Sequence, residues 1–296
     1  MFAISLIVLV IIGGSAYGVP VLEVNSERII GGEDAPEAYS PHMIALIEGY
    51  YFRFLMCGGS IITKRHILTA AHCIDPSIID GKLSETLNGR IGSNQWNSGG
   101  MTVKFKTFKN HPHWDVENIK NDAGILITKN DIEFSLEVRS VALGYEWVGE
   151  GEKASVTGWG NTGPRVVGGV VQISPTPDDL QLLYVETIAT DRCSKDMREA
   201  AAELWWGPVP DVDPHLEICT FHSVGHGMCN GDSGSALLTV KDGKQVGIVS
   251  WGLPCAIGAP DIFTRIAGVR DFLEDVLNES LTEEINSRSL FEGFNV

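Results

Sequence analysis

This 296-residue sequence predicts an all-β fold of short antiparallel strands, closed into a barrel or packed as a sandwich. Three observations carry that expectation. Apolar runs rich in Ile, Val and Thr recur along the chain, most of them bounded by Gly, Asn, Asp or Pro. The 33 glycines often fall between those runs. Only two stretches carry helical spacing. A hydrophobic content of 44% is enough for a full core, which excludes a disordered or fibrous chain.

The first element stands apart from the fold. Phe2 to Ile12 is apolar but for Ser5, too short to span a bilayer, which needs about 20 residues. Small residues among Gly13 to Gly18 suit cleavage after Ala16 or Gly18. Residues 1–18 therefore read as a signal peptide and the protein as secreted. Its six cysteines, an even number in an oxidising compartment, read as disulfide-forming. A short segment follows, Val19 to Arg28. Strands are then expected around Met43–Ile47, Ser60–Ile62, His66–Thr69, Ile125–Thr128, Ala154–Thr157, Ala236–Val240 and Val246–Ser250. One helix is expected at Asp191–Trp205, with Met197, Ala201 and Leu204 on one side. Another is expected at Ala267–Leu277, with Val269, Phe272, Leu273 and Val276 in register. Asn278 to Val296 has apolar residues without a period and reads as a flexible tail with no assigned role. No linker, charge run or repeat marks an appended module.

With 22 basic and 38 acidic residues the formal charge is −16. Nucleic acid or an anionic membrane as main partner would be repelled, so neither is expected.

The chemistry lies in three separated segments. Leu68-Thr69-Ala70-Ala71-His72-Cys73 delivers a histidine at the end of a strand. Asn121-Asp122-Ala123-Gly124-Ile125-Leu126 leads an aspartate into an apolar strand. Gly231-Asp232-Ser233-Gly234-Ser235 sets a serine in a glycine-flanked turn. Each alone is weak; in the order His, Asp, Ser they match one chain order of the acyl-transfer triad.

With Ile29-Ile30-Gly31-Gly32, Cys57-Gly58-Gly59-Ser60, Gly158-Trp159-Gly160 and Ser250-Trp251-Gly252 added, the sequence resembles the chymotrypsin and trypsin family of secreted serine endopeptidases from Ile29 to about Leu277. The resemblance implies two six-stranded antiparallel β-barrels, near residues 29–144 and 145–266, with the site between them and a closing helix at 267–277. It implies Ser233 as nucleophile, His72 as general base and then acid, and Asp122 as the group that orients the imidazole. The backbone N–H groups of Gly231 and Ser233 would form the oxyanion hole. It pairs Cys57 with Cys73, Cys193 with Cys219, and Cys229 with Cys255. Residues 19–28 become an activation propeptide: a trypsin-like protease cuts after Arg28, and the new amine of Ile29 pairs with Asp232.

Other partners implied are protein or peptide substrates and protein protease inhibitors, for a monomer. No metal or cofactor is expected: Ser93 to Gly100 offers no acid for a calcium loop, and His111, His113, His222 and His226 read as turn histidines. The alternatives are a cascade regulator, or a non-catalytic binding protein on the same fold.

Primary specificity is where the pattern departs most. The position six before the serine, the base of the pocket, is Gly227 rather than an acid, so simple trypsin specificity is not expected. Met228 is an apolar neighbour, Gly252 leaves the mouth open to large side chains, and Ser250 is expected among the substrate-binding residues. Asp261 stands where a glycine normally forms the far wall, an arrangement similar to the brachyurins. Mixed preference follows, with large apolar residues at least as good as Arg and Lys. Trp205 and Trp206, in a long Cys193–Cys219 loop, are expected to pack locally rather than to line a subsite.

Overall fold

A computed structural model describes residues 29–167, 170–173, 176–253 and 255–292. The expected signal peptide and the segment ending at Arg28 lie outside them. In the first half the strands are β1 (Glu33–Asp34), β2 (Met43–Glu48), β3 (Phe54–Ile61), β4 (His66–Thr69), β5 (Ile78–Ile79), β6 (Lys82–Leu83), β7 (Asn88–Ile91), β8 (Met101–Asn110) and β9 (Gly124–Thr128). In the second they are β10 (Lys153–Gly158), β11 (Pro164–Val167), β12 (Val170–Ile173), β13 (Gln181–Ile188), β14 (Glu217–Phe221), β15 (Ala236–Thr239), β16 (Gln245–Gly252) and β17 (Asp261–Arg265). The helices are α1 (Ala71–Ile74), α2 (Thr190–Glu203) and α3 (Arg270–Glu292).

Two six-stranded antiparallel barrels result. The first closes in the order β2-β3-β4-β9-β8-β7. The second runs β13-β10-β15-β16-β17-β14 and closes where β14 pairs with β13, with β1 added at the edge of β13. Alternation builds them. Along β8, Val103 and Phe105 are buried while Thr102, Lys104 and Lys106 are exposed, the period-2 signature of a strand with one face on a core. Strand β2 is buried on both faces. Its Ile44 and Leu46 enter the first core, whereas Met43, Ala45 and Ile47 pack with Trp159, Leu180 and Leu182 of the second half. β2 is thus the seam along which the barrels meet, and the cleft opens beside it.

Both ends of the described chain cross between the halves. Ile29 is fully buried among Val156, Met228, Leu237 and Phe263 of the second barrel. At the other end, Phe272, Leu273 and Val276 of α3 sit in the first barrel's core beside Ile67 and Ile125. The three disulfides Cys57–Cys73, Cys193–Cys219 and Cys229–Cys255 are the pairings the resemblance implies. Among the described residues no helix is long and apolar enough to cross a membrane.

The closing helix departs from expectation. A 3-10 turn, Ile266–Val269, precedes it, and α3 then runs to Glu292 rather than stopping near Leu277. No Gly or Pro interrupts residues 270–292 to break it. Ser280 and Thr282 hydroxyls bond back to the carbonyls of Val276 and Asn278, and Ser280 Oγ also meets His66 Nε2 at 2.8 Å. Leu273 is fully buried at this junction. Leu273→Ala should cost about 2–5 kcal/mol, read as a lower denaturant midpoint at unchanged slope. A shift equivalent to less than about 1 kcal/mol would show that α3 is not part of the first core.

Candidate active site

Small residues bring His72 into the cleft. Thr69 ends β4, and the fully buried Ala70 and Ala71 turn the chain into α1, which carries His72. Asp122 arrives from the other side, just before β9, with its side chain fully buried. Its Oδ2 accepts His72 Nδ1–H at 2.7 Å and the Ser250 hydroxyl at 2.6 Å, and its Oδ1 accepts the His72 backbone N–H at 3.0 Å. A carboxylate so placed fixes the tautomer of the imidazole, leaving the Nε2 lone pair to take a proton. Burial pulls the His72 pKa down. The Asp122 charge and hydrogen bond, with a smaller contribution from Asp75, outweigh burial, and the net shift is upward. Asp75 is held by Asn110 Nδ2 and Trp114 Nε1, each at 2.7 Å.

Ser233 sits in a turn that glycine makes possible. Gly231 and Gly234 have φ of 102° and 81°, a region side chains rarely enter. A Cβ at Gly234 would overlap the Thr69 hydroxyl, so the serine turn lies directly on the strand end that leads to His72. Gly58 N–H donates to Ser233 O at 2.8 Å, and Gly234 N–H to Val249 O at 2.8 Å. Among the described residues neither the Gly231 nor the Ser233 N–H has an acceptor, which leaves both available to a developing oxyanion. No hydrogen bond joins Ser233 Oγ to His72 Nε2 there; such bonds are often long without substrate and tighten in the Michaelis complex. Asp232 is fully buried and accepts Gly160 N–H at 2.7 Å and Cys229 N–H at 3.0 Å. Burial pushes its pKa up to about 7 despite those two bonds.

Beside Ser233 opens a cavity of about 310 Å³, lined by Met228, Val249, Ser250, Trp251, Gly252 and Asp261 among others. The Asp261 carboxylate lies in its wall and accepts Met228 N–H at 3.1 and 3.2 Å. It thus faces the cavity while holding a backbone donor. Burial, with a smaller push from the Asp232 charge and against the Met228 bond, raises its pKa to about 8. Gly227 is buried behind it and does not line the cavity. A Cβ there would stand 2.9 Å from Asp261 Oδ2, so the missing side chain is what makes room for the wall carboxylate.

The tryptophan expectation is overturned. Trp205 and Trp206 are 94% and 56% exposed, and Trp206 lines the same cavity as Ser233. The cause is local: α2 ends at Glu203, Trp205 takes φ 53°, and Gly207-Pro208 stops any further helix. Ser250, expected as a substrate-binding residue, also supports Asp122 from 128 positions away, a pairing with no local signal. A larger hollow of about 640 Å³ lies along β10 and β13 near Arg192 and His222, and it contains none of the candidate residues.

Among the described residues, two sets of possible metal ligands already have partners. Cys57, His72 and Cys73 bring ligating atoms within 4.8 Å of one another, but both sulfurs are in one disulfide. The His222 and His226 rings stack at 4.3 Å, and both Nδ1 atoms contact the Ser223 hydroxyl.

Comparison with known proteins bears on the same stretch. The family model described as Trypsin matches residues 29–273. Trypsin delta of Drosophila erecta is 33% identical over 246 residues, covering 82% of this chain and 86% of that protein. Trypsin 5G1 of Aedes aegypti is 33% identical over 255 residues, covering 85% and 86%. Chymotrypsin-2 of Vespa crabro is 32% identical over 247 residues, covering 83% and 98%.

Proposed function

The chain belongs to the trypsin family of serine endopeptidases, and from that premise we propose that it is a secreted zymogen, cut after Arg28, with mixed primary specificity. Ser233 attacks the scissile carbonyl and His72 takes its proton, later giving it to the leaving amine. Asp122 stabilises the imidazolium, and the free N–H groups of Gly231 and Ser233 bind the oxyanion. Substrates are proteins. A digestive role, a trypsin-like activator and control by protein inhibitors complete the reading.

One observation carries the specificity: Asp261 stands in the cavity wall with Gly227 behind it, so the cavity holds a carboxyl group whose pKa burial raises to about 8. The relatives bear names of both kinds, trypsin and chymotrypsin, which accords with a pocket of neither pure type. A neutral Asp261 leaves the pocket open to Phe, Tyr or Leu; an ionised one pairs with Arg or Lys. Its pKa of about 8 gives the sign. Below it the group is protonated and apolar substrates lead, and above it the Arg to Phe ratio of kcat/KM should climb.

The test is Asp261→Gly on matched Arg and Phe peptides above about pH 8, where the wall group is ionised. Mixed specificity requires Arg kcat/KM to fall at least about tenfold, or about 1.4 kcal/mol, with Phe little changed. The climb in ratio with pH should vanish in the variant. An Arg value that does not move would leave a plainly chymotrypsin-like enzyme.

A further inference from the structure

The hairpin that joins β2 to β3 carries the longest run of exposed aromatic side chains among the described residues. Its last strand pair is Glu48 with Phe54, and residues 49–53 span the gap. Tyr50, Tyr51 and Phe52 are 68%, 96% and 93% exposed, and Phe54 is 54% exposed. Arg53 stands exposed among them. Among the described residues no hydrogen bond, ion pair or ring contact holds Tyr50, Tyr51, Phe52 or Arg53. Contiguous apolar side chains left in water mark a place where something is received.

Each of these side chains suits the cavity beside Ser233, which reads as a site for Phe, Tyr or Leu and, with Asp261 ionised, for Arg. The backbone suits it as well. A chain must be free to enter a cleft before its carbonyl reaches a serine, and exposed loop tips without hydrogen bonds are where nicking concentrates. The bonds after Tyr51, Phe52 and Arg53 lie in this free segment or at its end. Trp205 and Trp206 are exposed too, but their backbone N–H groups donate to Ala202 O and Ala201 O at 3.3 and 2.9 Å.

The position of the tip decides what a cut would do. The six cysteines are all paired, and the first of them in the chain is Cys57. In processed enzyme a cut at the tip would therefore leave a piece beginning at Ile29 that no disulfide ties to the rest. A cut at Trp205 or Trp206 would fall inside the Cys193–Cys219 bridge and leave both pieces joined. The untied piece holds Ile29, β1 and β2, which are the anchor in the second barrel and the seam between the barrels. Its pairing with β3 would change from a hairpin of one chain to a bimolecular association, at a loss of effective concentration. β3 in turn supplies the Gly58 N–H that meets Ser233 O at 2.8 Å.

We infer that this tip is a self-cleavage site, cut by the active site of a second copy of this chain, and that the cut ends activity. The inference rests on the reading above, that the chain is an endopeptidase with Ser233 as nucleophile and a pocket of mixed preference. Ser233 Oγ of one copy forms an ester with the carbonyl carbon of Phe52 in the other. The Phe52–Arg53 amide bond breaks, and its nitrogen takes the proton that His72 drew from the serine. Water then splits the ester and leaves a carboxylate on Phe52. The bonds after Tyr51 and Arg53 follow the same course.

The test follows activated wild-type enzyme over time, with competent sites counted by a covalent serine phosphonate and activity read on a blocked Phe 4-nitroanilide. Samples go onto denaturing gels without reductant, and new chain ends are sequenced. Activity should decay with a second-order dependence on enzyme concentration, and phosphonate-blocked enzyme should stay whole. In step with the decay, a piece ending at Tyr51, Phe52 or Arg53 should separate without reductant. The combined variant Tyr50→Ser, Tyr51→Ser, Phe52→Ser, Arg53→Ser and Phe54→Ser should keep initial kcat/KM within about twofold and lengthen the half-life of activity at least about tenfold. Mapping the wild-type cut decides the matter even if that variant does not fold. Enzyme that hydrolyses the anilide but stays whole, a first cut elsewhere, pieces that part only on reduction, decay independent of concentration, or a cut that spares activity would overturn the inference alone. A chain that neither takes the phosphonate nor cleaves the anilide would overturn the endopeptidase reading with it.

Discussion

Asp122→Asn should lower kcat by about 10⁴-fold while leaving the fold and the substrate KM nearly intact. The amide is close in shape to the carboxylate, so the buried site can hold it. Its NH₂ group, however, donates where Asp122 Oδ2 now accepts the Nδ1–H of His72 at 2.7 Å. The imidazole then carries its proton on Nε2, the atom that must take one from Ser233. A second readout guards against mere misfolding. The Asp122 charge is the main influence raising the His72 pKa against burial, and activity needs that imidazole neutral. Wild-type activity should thus fall as pH drops through the raised value, and in the variant this acid limb should move to lower pH. A loss under about a hundredfold, or an acid limb that stays in place, would contradict the assignment.

Arg28→Gln, which would remove the proposed cut before Ile29, should hold kcat at least about 10²-fold below that of protein processed there, the cost of one misaimed oxyanion donor. Asp232 supplies the reason. Buried, and with only backbone N–H partners among the described residues, it has its pKa raised from 3.8 to about 7. A folded pKa above the unfolded one favours the folded state while the group is protonated, and that advantage is lost as pH rises from about 4 to about 7. At neutral pH the uncut chain therefore carries a buried carboxylate in want of a cation. The Ile29 side chain is already packed among Met228, Leu237 and Phe263, and Gly227 N–H donates to Ile30 O at 3.1 Å. A free amine at Ile29 would answer Asp232 and set the turn that aims Gly231. That amine, paired, should titrate above its free value of about 7.7–8.0. Its contribution is present below the free value and lost as pH rises through the paired one, so processed enzyme should lose activity on the alkaline side. Full activity from uncut Arg28→Gln, checked by N-terminal sequencing, would end this account.

The parts of the fold and site that were legible in the sequence were those written in local chemistry. Ile- and Val-rich runs bounded by Gly or Asn announce strands such as Met43–Glu48 and Gly124–Thr128, because half-buried pleated faces demand them. The candidate triad residues were legible because the turn around Ser233 needs glycines and the strand end before His72 needs alanines. What escaped was set by distance along the chain. Ser250 finds Asp122 across 128 positions, and Lys120 finds Glu217 across 97. Neither pair leaves a periodic trace. The exposure of Trp206 depends on where α2 stops, and the length of α3 on contacts such as His66 with Ser280. These are decisions of tertiary packing, which overrides local propensity at element ends.

The crossing of the two chain ends has a consequence for how the molecule comes into being. Synthesis runs from the amino end, yet the first barrel's core includes Phe272, Leu273 and Val276, which leave the ribosome after the strands of both barrels. Ile29 and β1, made early, must wait for the second barrel before they have anything to pack against. Neither half is a complete folding unit taken in sequence order, so co-translational folding one domain at a time is not open to this chain. Contacts of such wide sequence separation carry a large loop-closure entropy, and acquisition of structure should be slow and concerted. The same arrangement means that losing the Ile29 anchor would loosen the second barrel, and losing α3 the first.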